Sequence, residues 1–168
     1  MKFVVAVLGN NTPEMEIERK FLVAELPDLK DGEAVEIEQG YLALADGEGG
    51  AEVRLRRKQA DLLLTIKAGS GRMRAEEEIE LDRERFESLW PLTAGRRLAK
   101  TRHLIPHGEL EIELDRYRED LDGLLIAEVE FPDEETADAF EPPEWFDEEV
   151  TGNKTYLNET LATKGLPR

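Results

Sequence analysis

Apolar and charged positions alternate through most of the chain, a period of two that predicts a protein built mainly of β-strands. In Glu16-Ile17-Glu18-Arg19-Lys20-Phe21-Leu22, residues 16, 18 and 20 project to one side and Ile17 and Phe21 to the other. Ala51 to Lys58 sets Arg54, Arg56 and Lys58 against Val53 and Leu55, and Leu62 to Ala68 sets Thr65 and Lys67 against Leu62, Leu64 and Ile66. Arg74, Glu76, Glu78 and Glu80 share a face backed by Ile79 and Leu81, and Lys100 and Arg102 share another. Glu111, Glu113 and Asp115 alternate with Leu110, Ile112 and Leu114, as Glu128 and Glu130 do with Ala127, Val129 and Phe131. With Gln39 to Leu44, which carries Tyr41, these make about eight strands, joined by turns such as Asp46-Gly47 and Asp122-Gly123.

Three segments change to helical spacing. Asp82 to Trp90 has Asp82 as N-cap, Phe86, Leu89 and Trp90 as an apolar stripe and Pro91 as terminator. Asp133 to Phe140 is closed by Pro142-Pro143, and Asn153 to Thr163 carries Tyr156, Leu157 and Leu161 ahead of Gly165. Amphipathic helices need an apolar surface to cover. The apolar strand faces offer one, which turns the charged faces toward each other.

Composition narrows the chemistry. The 168 residues suit one domain, and a net charge of −17 argues against nucleic acid or an anionic membrane as a bulk partner. The absence of cysteine removes disulfides, thiolate nucleophiles and cysteine-based zinc sites, and fits a reducing cytoplasm. Phe3 to Leu8 is too short for a signal-peptide core or a membrane span. Residues 1–14 read as an extension or a short extra strand before a domain over 15–168, with Met15 a candidate initiator.

One strand of alternating charge is most simply half of a sheet with a wet face. The set argues otherwise, because the charges sort by strand: 54, 56 and 58 are basic, 128 and 130 acidic, 16, 18 and 20 mixed. Like charges 4 Å apart repel by ~4 kcal/mol at an effective dielectric near 20. Gathering Glu16, Glu18, Glu128 and Glu130 therefore calls for a cation, and oxygen-only ligands select Mg²⁺, Mn²⁺ or Ca²⁺. Gathering Arg54, Arg56, Lys67, Lys100 and Arg102 calls for a polyanion, and guanidinium forks match phosphate oxygens. Together these describe a metal–polyphosphate site.

Glu16-Ile17-Glu18-Arg19-Lys20 resembles the ExExK signature of the CYTH proteins, the triphosphate tunnel metalloenzymes. Gln39-Gly40-Tyr41, Arg54-Leu55-Arg56, Thr65-Ile66-Lys67 and Arg74-Ala75-Glu76-Glu77-Glu78 follow in family order. After them come Lys100-Thr101-Arg102, Glu113-Leu114-Asp115, Glu128-Val129-Glu130 and Lys154-Thr155-Tyr156-Leu157-Asn158. The resemblance runs from residue 15 to about 162 and is nearest to the small bacterial inorganic triphosphatases. It implies an α+β, mainly antiparallel fold: a closed eight-stranded tunnel barrel with a few flanking helices. It departs from the family in the residues ahead of the signature and in Asn153, where relatives often carry an acid.

The resemblance also implies roles. Glu16, Glu18, Glu128 and Glu130 would hold a first metal, Mg²⁺ or Mn²⁺. Glu76, Glu78 and Asp115 would hold a second metal or orient water, or else form a salt-bridge network with Arg74. Arg54, Arg56, Lys67, Lys100 and Arg102 would grip the phosphates, with Arg74 and Lys154 closing the mouth on substrate. Lys20 is a phosphate ligand or, paired with Tyr41, helps activate water. Arg57 and Lys58 read as solvated, and His103 and His107 as surface or turn residues.

The expected activity is metal-dependent hydrolysis of tripolyphosphate to diphosphate and phosphate by a cytoplasmic monomer or homodimer. The alternatives are a class IV adenylyl cyclase-like or thiamine triphosphatase activity, or a non-catalytic polyphosphate-binding module.

Overall fold

The computed structural model describes residues 17–29, 33–44, 51–70 and 73–167. Residues 1–14, Met15, Glu16 and the Asp46-Gly47 turn therefore lie outside the described residues. Among those described, the chain is mainly antiparallel β with three short α-helices, as the alternation predicts. The strands are β1 (Ile17–Val23), β2 (Glu33–Ala43), β3 (Ala51–Lys58), β4 (Asp61–Ser70), β5 (Met73–Glu80), β6 (Arg97–His107), β7 (Leu110–Tyr117), β8 (Leu125–Phe131) and β9 (Phe146–Glu149). The helices are α1 (Arg83–Leu89), α2 (Glu134–Ala139) and α3 (Asn158–Lys164). The chain forms two compact units: one contains Glu38–Arg97, the other Leu98–Arg168 with the stretch ending at Ile37.

In the first unit the strand order is β5-β4-β3-β2. Register sets Arg54 opposite Thr65 and Thr65 opposite Glu78, so these share one face, while Leu55 lies opposite Leu64 and Leu64 opposite Ile79 on the other. Helix α1 packs over β4 and buries Phe86. Asp82 caps it, its carboxylate accepting from Arg85 N at 2.8 Å, which satisfies one of the orphan amides of the first turn. Pro91 follows in a 3₁₀ turn, Trp90–Thr93.

Arg57 is not the solvated residue its neighbours suggest. It pairs with Glu38 at 2.6 Å and Glu87 at 3.1 Å, and its guanidinium lies 5.3 Å from the Phe86 ring and 5.7 Å from the Trp90 ring. It ties the helical cover to the sheet. Gly40 is needed for a different reason, close approach: a Cβ there would meet Thr93 Oγ1 at 2.5 Å.

In the second unit the order is β2-β6-β7-β8-β1-β9. Pairs Phe21↔Ala127, Leu114↔Ala127 and Ile112↔Val129 put the apolar residues of β1, β7 and β8 on one face. There Ile112, Leu114, Ala127, Val129 and Phe131 are buried, with Phe140, Trp145 and Phe146 packed against them. Burying each of Ile112, Leu114, Val129 and Phe131 contributes roughly 1.5–3 kcal/mol. Arg19 staples the cover in place. It binds Glu149 at 2.7 Å, donates to the carbonyls of Ala137 and Phe140, and lies 5.1 Å from the Phe21 ring.

The structure extends or divides some expected elements. β2 begins before Gln39, because Val35 and Ile37 continue the buried alternation. β9 is a ninth strand that acidic Asp147-Glu148-Glu149 does not advertise. The helix expected over Asn153 to Thr163 is split. Asn153 caps a 3₁₀ turn, Lys154–Tyr156, by accepting from Thr155 N at 3.0 Å; Leu157 is extended, and only then does α3 begin.

Candidate functional site

The second unit carries a dense ionic face opposite its apolar one. Strand alternation puts Glu18 and Lys20 of β1, Glu128 and Glu130 of β8, Glu111, Glu113 and Asp115 of β7, and Lys100 and Arg102 of β6 on the same side. Register seats Lys20 opposite Glu128, Glu18 opposite Glu130, Glu113 opposite Glu128 and Arg102 opposite Asp115. At one end this face turns apolar: Leu98, Tyr117, Leu121, Ile126 and Leu161 of α3 form a second core cluster.

Arg102 is the hub. Its Nε donates to Asp115 Oδ1 and an Nη to Asp115 Oδ2, both at 2.7 Å, a bidentate pairing. It also binds Glu113 and reaches Glu128 Oε2 at 3.0 Å. Lys100 Nζ lies 2.5 Å from Asp115 Oδ2, and Lys20 Nζ 2.7 Å from Glu128 Oε1. Asp115 is wholly buried and Lys100 is 2% exposed.

Burial costs a charged group dearly unless it is paired, and these groups show both effects. Burial pulls the Lys100 ammonium down to about 8, with Asp115 opposing the fall. Burial would raise the Glu128 carboxyl, yet Lys20, Lys100 and Arg102 together hold it down to about 2. Burial also works against the Arg102 guanidinium, which its bonds to Asp115 and the charges of Glu113 and Glu128 nonetheless hold above its usual range.

The first unit has its own charged face. Arg54 is buried, beside Glu52 at 3.5 Å, so β3 is not purely basic as its arginines suggest. Arg56 and Lys67 are partly buried, and Thr65 lies 3.5 Å from Glu78. Tyr41 is buried and its hydroxyl accepts from Gln39 Nε2 at 2.7 Å. The ladder places Glu76 opposite Lys67 and Arg74 opposite Gly69, although the side chains of Arg74 and Glu76 lie outside the described residues. Lys154 is exposed, at the start of its 3₁₀ turn.

Thus Glu18, Lys20, Lys100, Arg102, Asp115, Glu128 and Glu130 fall on one face of the second unit. Arg54, Arg56, Lys67 and Glu78 fall on one face of the first, and Tyr41 is buried within the same unit. Two participants stand in the motifs without an assigned role there. Glu113 of Glu113-Leu114-Asp115 binds Arg102; Gln39 of Gln39-Gly40-Tyr41 holds Tyr41 from two residues before it on the same side of β2.

The donors suit a hard divalent cation. On the second unit's face the carboxylates of Glu18, Glu111, Glu113, Asp115, Glu128 and Glu130 outnumber the cations of Lys20, Lys100 and Arg102. The excess gathers where Glu111, Glu113 and Glu130 line a groove of about 480 Å³. All these donors are oxygens, the ligands Mg²⁺ and Mn²⁺ prefer. Among the described residues no three carboxylates are already drawn into one cage.

An antiparallel sheet with one dry face and one face of opposed carboxylates, lysines and arginines has the chemistry to hold a polyanion together with its counter-cations. The CYTH domain model matches residues 14–165, and the chain belongs to the CYTH domain family. It is 48% identical over 151 residues to an inorganic triphosphatase of Nitrosomonas europaea, covering 88% of this chain and 96% of the relative. An inorganic triphosphatase of Acetivibrio thermocellus is 34% identical over 149 residues, covering 87% and 92%. A crystal structure of an inorganic triphosphatase superposes with a TM-score of 0.74 at 41% identity, covering 94% of this chain and all of that one.

Proposed function

We propose that this protein hydrolyses inorganic triphosphate to diphosphate and phosphate. The carrying observation is the convergence of Lys20, Lys100 and Arg102 on Glu128 and Asp115, in a chain 48% identical over 151 residues to an inorganic triphosphatase. A closed tunnel barrel, as the family resemblance implies, goes with this reading. Its setting would be the cytoplasm, as a monomer or homodimer; no described helix is long and apolar enough to cross a membrane.

Phosphoryl transfer asks mainly for positioning and electrostatic stabilisation. Lys100 and Arg102, with Arg54, Arg56, Lys67 and Arg74, bind the phosphate oxygens and offset charge as the terminal group leaves. Glu16, Glu18, Glu128 and Glu130 would hold Mg²⁺ or Mn²⁺, which supplies Lewis-acid charge to the phosphate oxygens when bound. Asp115 is wholly buried and takes three hydrogen bonds from Lys100 and Arg102, whereas Glu128 is only partly buried with one cation on each oxygen. We therefore assign Asp115 to the cation side of the site, leaving Glu76 and Glu78 for a second metal or for water. Lys20 and Tyr41 position the attacking water, each held by a neighbour, Glu128 and Gln39. Lys154 closes on substrate from the surface.

Phosphate release from tripolyphosphate, ATP, thiamine triphosphate and diphosphate with Mg²⁺ and Mn²⁺ tests this. Release from tripolyphosphate should lead the panel and vanish with EDTA. Cyclic AMP from ATP, or tight tripolyphosphate binding with no turnover under any metal, would replace it with the cyclase or the binding-module reading.

A further inference from the structure

Tyr117 and Asn158 belong to none of the roles above, yet they stand directly behind the phosphate clamp Lys100. Tyr117 lies opposite Lys100 in the β6–β7 register, and the Lys100 ammonium is 5.4 Å from the centre of its ring. Tyr117 is 1% exposed, and its hydroxyl donates to Asn158 Oδ1 at 2.6 Å. Asn158 opens α3, where it is a poor helix former. It does not cap that helix either: Leu157 holds the N-cap position, with no side-chain cap bond. Its amide is turned to the tyrosine instead, and α3 is further anchored by Leu161 in the cluster that contains Tyr117.

We propose that Tyr117, fixed by Asn158, is a positioning residue for Lys100, so that α3 sets where this clamp meets phosphate. The inference rests on the triphosphatase reading. Lysine has a flexible stem, and the hydrogen bond to Asp115 together with the more distant charge of Glu128 sets the direction of a buried ammonium only loosely. The ring supplies one, since its negative face attracts a desolvated cation. The Asn158 bond fixes the far end of that ring and thereby its position under Lys100. Tyr117 acts through Lys100 and touches no substrate itself.

The test is the split between KM and kcat for tripolyphosphate, with calorimetric tripolyphosphate affinity and melting temperature measured beside it. Tyr117→Phe and Asn158→Leu each break the same hydrogen bond. Each should raise KM about fivefold with kcat nearly unchanged, and the double variant should do no more than either alone. Tyr117→Leu also removes the ring and should raise KM by about tenfold or more. In a Lys100→Gln background it should change KM by less than about twofold, because the residue it positions is gone.

Variants that melt lower yet keep wild-type KM and affinity would show a merely structural tyrosine and overturn the proposal. So would an undiminished Tyr117→Leu effect in the Lys100→Gln background. Should the wild type bind tripolyphosphate without hydrolysing it, the triphosphatase reading fails alone, and calorimetric affinities decide the Tyr117 question in the same way. A wild type that neither binds nor hydrolyses it sinks both.

Discussion

Arg102 grips Asp115 through two parallel hydrogen bonds of 2.7 Å, one from Nε and one from an Nη. The opposite edge of that carboxylate is shared with Lys100 at 2.5 Å, so a single buried anion orders two cations that would otherwise repel. Removing its charge leaves buried like charges unpaired, a loss of about 3–5 kcal/mol. Asp115→Asn should therefore melt well below the wild type and raise the tripolyphosphate KM. The Mg²⁺ concentration giving half-maximal rate should move by no more than about twofold. A large shift in metal requirement at unchanged stability would return Asp115 to the metal.

Lys100 should leave a mark on the pH profile. Burial pulls its ammonium down to about 8, well below the ordinary lysine range. A neutral amine grips phosphate weakly, so log kcat/KM, which reports the free enzyme, should bend downward above about pH 8. In Lys100→Arg that limb should move to higher pH, since guanidinium keeps its charge. An unmoved limb would assign it to another group.

Glu128 should govern acid stability. Its folded-state carboxyl is depressed from 4.5 to about 2. The stability it contributes is complete above the unfolded value near 4.5 and is lost as pH falls through about 2. The loss over that window is seen as a fall in melting temperature. Glu128→Gln should flatten this part of the curve. It should also lower kcat by about a hundredfold or more if the carboxylate serves the metal. A variant with the wild-type acid profile would contradict the assigned coupling.

Gly40 stands in Gln39-Gly40-Tyr41 because of what faces it. A methyl group there would sit 2.5 Å from Thr93 Oγ1, and Thr93 is held by bonds to Trp90 O at 2.8 Å and from Arg97 Nε at 2.7 Å. Gly40→Ala should cost about 1–3 kcal/mol, measured by urea unfolding. Glycine-like stability in the alanine variant would mean the turn yields freely.

The sequence by itself determined which side chains share a face, since a period of two needs no tertiary information. Glu18, Lys20, Lys100, Arg102, Asp115, Glu128 and Glu130 could all be read out that way, as could the cores behind them. It determined where α1 and α2 start as well, because Asp82 and Asp133 carry their capping chemistry within the helix's own first turn. Only the tertiary structure decided which charge meets which. Strand register puts Asp115 against Arg102 and Lys100, and register depends on partners distant in sequence. The same holds for β9, which exists because β1 offers it a ladder, and for Arg57 and Tyr117. Their neighbours Phe86 and Asn158 arrive from helices whose docking no local pattern encodes.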